Sequence, residues 1–104
     1  MIRQLAKKNK YMMSQIPIDL KNVKKEEVNK EICRTGIIAE YDAINLYEQM
    51  AEMTDDEGMK KMLLDIAKEE KTHVGEFQAL LLKIDKEQVR ELEAGAKEVE
   101  EKTE

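Results

Sequence analysis

The residues best suited to chemistry sit in one short stretch, Glu69-Glu70-Lys71-Thr72-His73. From Met59 the apolar positions recur at helical spacing, at Leu63 and Ile66, and resume at Phe77, Leu81 and Ile84. Where the stripe should continue, at 70 and 73, the chain has a carboxylate and its single imidazole. Burying either group is costly unless something neutralises it. One turn apart on one helix face, they offer an oxygen and a nitrogen to the same point in space. That chemistry is metal binding: a Glu-x-x-His pair facing the interior of a helical bundle is the ligand arrangement of two-metal carboxylate centres.

A second carboxylate matches the first. Glu40 stands at the edge of an apolar stripe, following Ala39 and preceding Ala43. Asp55 marks the tip of the expected helical hairpin, and Glu40 and Glu70 each lie 15 residues from it. At ~1.5 Å rise per residue both stand about 22 Å down an antiparallel pair, at the same height. One hairpin therefore brings two carboxylates and an imidazole, half of a four-helix site, and a two-fold dimer would complete it. Oxygen and imidazole donors without thiolates suit iron or manganese, and zinc would also bind. Tyr47, two turns from Glu40 on the same face, approaches from the turn side. Asp42, half a turn from Glu40, is a candidate for a second cation site.

Other residues read as structural. Cys33 is a small core residue with no partner for nucleophilic catalysis. Met50, Met53, Met59 and Met62 read as core filling at the turn end, and Tyr41 as packing. Asp65, Glu69, Glu48, Glu52 and Glu76 read as solvated or interface-pairing acids. There is no glycine-rich phosphate loop, no Cys-x-x-Cys and no second His for a zinc triad within the chain.

The elements that must hold this constellation are helices. In 104 residues, 39% are charged and 4% aromatic, with one Pro and four Gly, which favours long helices over sheet. One helix is expected from about Lys24 to Met53. It is apolar on two sides, along Val28, Ile32, Thr35/Gly36, Ala39, Ala43, Leu46/Tyr47 and Met50, and again at Ile37 and Ile44. Such a helix has two sets of neighbours, and Gly36 with the two alanines lets another helix come close. Thr54-Asp55-Asp56-Glu57 reads as a capping box that starts a second helix running to Ile84. Asp85-Lys86-Glu87-Gln88 repeats the signal for a third, interrupted at Gly95 and weakly striped. Residues 1–22, with Pro17, form an irregular extension, and residues 23–104 a hairpin with a C-terminal helix.

Charge and hydropathy narrow the function. The net charge of −5 divides into eight Lys/Arg against three acids in residues 1–30 and ten against twenty thereafter. The acidic part lacks the basic face that nucleic acid requires. No apolar run is long enough to span a membrane, no secretory h-region is evident, and a lone cysteine fits a reducing compartment. The expected protein is soluble and cytoplasmic, with neither nucleic acid nor membrane as a partner.

On these residues the chain resembles the encapsulated ferritins, the half-length ferritin-like cargo of encapsulin nanocompartments. The resemblance covers about residues 26–90. It is densest in Gly36-Ile37-Ile38-Ala39-Glu40-Tyr41-Asp42-Ala43-Ile44-Asn45-Leu46-Tyr47-Glu48-Gln49-Met50-Ala51 and in Leu64 to Phe77 around Glu70 and His73. It implies an all-α fold, a two-helix hairpin plus a short C-terminal helix that completes a four-helix bundle by dimerisation. It further implies a di-iron ferroxidase centre shared between two subunits, dimers joined into an annular decamer, and an encapsulin shell as partner. Fe(II) and dioxygen would be the substrates, with Glu40, Glu70 and His73 as iron ligands and Tyr47 beside them. Where some members frame a second cation site with an acid and an aromatic, this chain has Ala39 and Leu46, and Asp42 alone remains. Two rival readings use the same residues: a rubrerythrin-like peroxidase, although no Cys-rich rubredoxin motif is present, and a non-catalytic helical assembly whose polar stripe sets register.

Overall fold

A computed structural model describes residues 22–104. A 3-10 turn at Lys25–Glu27 leads into α1 (Val28–Met53), followed by α2 (Glu57–Ile84) and α3 (Lys86–Thr103). The described residues contain no strand, so the fold is all-α as the composition predicts. The irregular extension expected over residues 1–22 falls, but for its last residue, outside the described residues.

α1 and α2 form an antiparallel hairpin, with Glu48 paired to Lys71 at 3.1 Å and Gly36 set against Phe77 further down. The reversal is sharper than the expected capping box. Asp56, not Thr54, is the N-cap: its side chain accepts the Met59 N–H at 3.1 Å. Thr54 closes α1 in extended conformation and accepts the Asp56 N–H at 3.1 Å. A carboxylate at the cap both satisfies an orphan donor and meets the positive end of the helix dipole, which a threonine hydroxyl does less well. At the far end the expected signal holds, since Asp85 caps α3 through the Gln88 N–H at 3.0 Å.

The seam between α1 and α2 is narrow. Its buried residues are Cys33, Ile44 and Ala51 on α1 and Ala67, Val74 and Leu81 on α2. Steps of eleven and seven on α1, and of seven on α2, keep them on one line. The longer stripe read from the sequence is not this seam. Ile32, Gly36, Ala39, Ala43, Leu46, Met50 and Met53 alternate in steps of four and three, and Ile32, Ala39, Leu46, Met50 and Met53 are exposed. Met59, Met62, Leu80 and Ile84 continue the uncovered surface on α2. At about 100° per residue, both stripes turn roughly a quarter circle from the seam, to the same side of the hairpin. The turn-end methionines are therefore not core filling within this chain: Met53 is 83% exposed. Two helices have one mutual seam, and it buries one stripe of each.

α3 departs from the hairpin at Asp85 and has no buried residue. Gly95 does not interrupt it; good helix formers on both sides carry the helix through. The result is a flat, open shape of 46 × 45 × 22 Å with a radius of gyration of 16.8 Å, against about 13 Å for a compact 100-residue domain. No helix among the described residues is long and apolar enough to cross a membrane.

Candidate metal centre

α1 brings Glu40, and α2 brings Glu70 and His73, to one level of the hairpin. One donor atom from each lies within 4.8 Å of the others, the single such metal-capable group among the described residues. The height match expected from the turn is realised in three dimensions.

The trio is poorly satisfied by itself. His73 Nδ1 lies 3.3 Å from Glu70 Oε2 and 3.4 Å from Glu40 Oε2. One ring nitrogen has at most one proton to give, and these separations exceed the 2.7–3.2 Å range typical of N–H···O bonds. Glu40 Oε2 is buried and accepts no hydrogen bond, the ring nitrogen being near but misaligned. The two carboxylates are 19% exposed at their side chains, whereas the imidazole is 45% exposed. It stands on the side of the hairpin that carries the uncovered apolar stripes. Two carboxylates side by side repel each other, and an orphaned acceptor in a dry place is costly. A cation among the three donors removes both penalties. The donor set thus fits a first-row metal ion such as iron.

The other candidates separate from this group. Tyr47 is half-buried two turns along α1. Asp42 is half-buried and outside the cluster; two residues of rotation place it about 200° around α1 from Glu40. Asp65, Glu69, Glu52 and Glu76 are exposed, Glu48 pairs with Lys71, and Cys33 is buried. One charged pair escaped the sequence reading. Asp85, recognised as a cap, also accepts from Arg34 Nη2 at 3.1 Å, tying α1 to the α2–α3 junction. The Gln88 amide bond lowers its pKa most, against the opposing effect of burial, with Arg34 and Lys30 adding to the lowering. A partner 51 residues away carries no local signal.

Comparison with known proteins gives the family of the fold. A family model described as rubrerythrin matches residues 31–104. The crystal structure of the encapsulated ferritin domain from Pyrococcus furiosus superposes with a TM-score of 0.75 at 54% identity, covering 88% of this chain and 93% of that one. The chain belongs to the rubrerythrin family and, within it, to the encapsulated ferritins. Among curated relatives, the ferritin-like-encapsulin shell fusion protein of Pyrococcus furiosus is 63% identical over 79 residues, 76% of this chain and 23% of that protein. The encapsulin nanocompartment cargo protein EncC of Myxococcus xanthus is 42% identical over 69 residues, 66% of this chain and 50% of that protein. The chain therefore spans half or less of the curated relatives it matches. Family and donor set together support an iron-related role.

Proposed function

We propose that the chain is a ferroxidase that oxidises Fe(II) to Fe(III) at a di-iron centre shared between two copies. Each copy supplies Glu40 and His73 as terminal ligands, and the two Glu70 carboxylates bridge. The observation that carries this reading is the half-site itself: three donors within 4.8 Å, one of them an orphaned buried carboxylate oxygen. Its imidazole is half exposed, on the side where apolar stripes lack a cover. A second copy seated there brings the missing half of the ligands. Iron is the substrate, giving up electrons to dioxygen; the residues concentrate two like-charged ions and offset their repulsion with carboxylate charge. Tyr47 flanks the centre from the turn side. The oxidised iron is handed on for storage, with the dimers joined in an annular decamer inside an encapsulin shell. The names of the relatives support the encapsulin shell as partner.

A second reading takes the same centre as a rubrerythrin-like peroxidase, and the family match over residues 31–104 favours it. One experiment separates these readings from a non-catalytic assembly. Anaerobic Fe(II) is titrated into separated oligomeric forms, then dioxygen or hydrogen peroxide is added. Ferroxidase function predicts saturation at one iron per chain, rapid oxidation by dioxygen, and neither effect in monomers. A monomer that oxidises iron as fast as the assembled form refutes the shared site. Reaction with peroxide alone transfers the assignment to the peroxidase.

A further inference from the structure

Gly36 is a glycine that its backbone does not require. It lies within α1, and no glycine among the described residues has a positive φ. Glycine weakens a helix relative to alanine, and the same stripe uses alanine at 39 and 43. What sets Gly36 apart is the ring of Phe77. A Cβ built on Gly36 would lie 2.8 Å from three carbons of that ring, Cδ1, Cε1 and Cζ, well inside the 3.4 Å at which ordinary contact begins. A point equidistant from three carbons of a six-membered ring lies on the axis through its centre, so the ring is stacked face-on over Gly36. Turning the ring about its Cβ–Cγ bond would swing an edge toward the Gly36 backbone. Gly75 and Gly95, by contrast, have nothing within 4 Å.

The place of this contact gives it significance. Gly36 is one turn from Glu40 on α1, and Phe77 is one turn from His73 on α2. Phe77 is also the only phenylalanine in the chain. Across the seam, one turn away, Glu40 and His73 approach to 3.4 Å. We infer that the stack of Phe77 on Gly36 is a spacer that sets the separation of α1 and α2 at the level of the metal donors. Gly36 and Phe77 are thereby positioning residues for the centre. The functional consequence rests on the ferroxidase reading; the spacing does not.

Crystal structures and Co(II) titrations of the full chain test this, using Gly36→Ala, Phe77→Leu and the double variant. Co(II) reports the ligand field through its visible spectrum without any turnover. In Gly36→Ala the Glu40–His73 approach should open, Co(II) affinity should fall about tenfold, the lower end for loss of a supporting contact, and helical content should persist. In Phe77→Leu the lost ring should shift the same separation and weaken Co(II) severalfold. The double variant should bind better than Gly36→Ala, because a leucine can move aside where a ring cannot; that non-additivity is the mark of direct coupling. If Gly36→Ala does not fold, Phe77→Leu alone decides. An unchanged Glu40–His73 separation in the variants that fold overturns the inference, as does wild-type Co(II) affinity and spectrum in Phe77→Leu. A wild-type chain that binds neither Co(II) nor Fe(II) overturns the ferroxidase reading instead, and the crystallographic separation still decides the spacer.

Discussion

Asp85 and Glu40 are both carboxylates drawn out of water, and the fold treats them in opposite ways. Asp85 spends its oxygens within the chain, one on the Gln88 amide and one on the Arg34 guanidinium. Those bonds hold its pKa below the ordinary value of 3.8. Glu40 Oε2 is buried without a hydrogen bond, beside a second carboxylate and an imidazole that cannot serve both. An acid whose lone pairs are consumed by its own chain contributes to the fold. An acid left short, next to like charge and an exposed nitrogen, is arranged for something that arrives later. The contrast predicts that changes around Glu40 cost metal chemistry and spare folding, while changes around Asp85 do the reverse.

The largest expected effect tests the first half of that contrast. Removing the imidazole in His73→Ala deletes a terminal ligand and should lower iron oxidation at least tenfold, the minimum for weakened ligation. Some Fe(II) binding should survive, because four carboxylates remain per dimer. Stopped-flow oxidation with matched circular dichroism measures both halves at once. Unchanged turnover would make the trio a structural network, and the distinction from Asp85 would disappear.

A second large effect is the coupling of metal to assembly. Without metal, the proposed dimer brings four carboxylates together and their repulsion works against association. An ion that binds only the assembled form at about 100 times its Kd favours that form by ~2.7 kcal/mol, roughly a hundredfold. Analytical ultracentrifugation at neutral pH should therefore show Fe(II) raising the oligomer fraction. Glu70→Ala should lose the metal effect yet assemble better than wild type when metal-free. One oligomer, unaffected by metal across dilution, would mean that the apolar stripes alone hold it together.

How much of this was legible in the sequence follows the same divide between local and distant causes. The helix spans, the cap at Asp85 and the height match of Glu40 with Glu70 come from spacing along one chain, and spacing survives folding. The assignment of stripes did not survive whole. Cys33, Ile44 and Ala51 make the seam, whereas Ile32, Ala39, Leu46 and Met53 face outward. Periodicity identifies an apolar face but does not say whether its neighbour belongs to the same molecule. Met59 and Met62 lie on such a face, uncovered within this chain. The pairings of Arg34 with Asp85 and of Phe77 with Gly36 carry no local signal for another reason: the partners lie far apart along the chain.

A smaller effect belongs to the turn. Asp56→Ala removes the cap that Met59 donates to, and should cost about 1 kcal/mol in chemical denaturation while leaving the Fe(II) stoichiometry unchanged. Thr54→Ala should cost less, since Thr54 does not cap α2. If the two rank in the opposite order, the capping box read from the sequence is the better description of the turn.

The smallest effect, and the one that isolates Asp85, is a change with pH. Asparagine at 85 keeps an oxygen for the Gln88 N–H but gives Arg34 no charge to meet, so Asp85→Asn should be modestly less stable than wild type at neutral pH. The sign of the pH dependence follows from linkage. A folded-state pKa below the unfolded one means that the folded chain holds the charged form more tightly. That stabilisation is fully present above the unfolded pKa, near 3.9, and disappears as pH falls through the lower folded value. The gap between wild type and Asp85→Asn should thus stay level from pH 7 to about pH 5 and close below about pH 4. Every other carboxylate is common to both proteins, so the difference between their urea midpoints cancels the general acid destabilisation. A gap that persists unchanged into acid would mean that Arg34 does not respond to the charge on Asp85. The acid that the fold uses for itself would then be no better matched than Glu40.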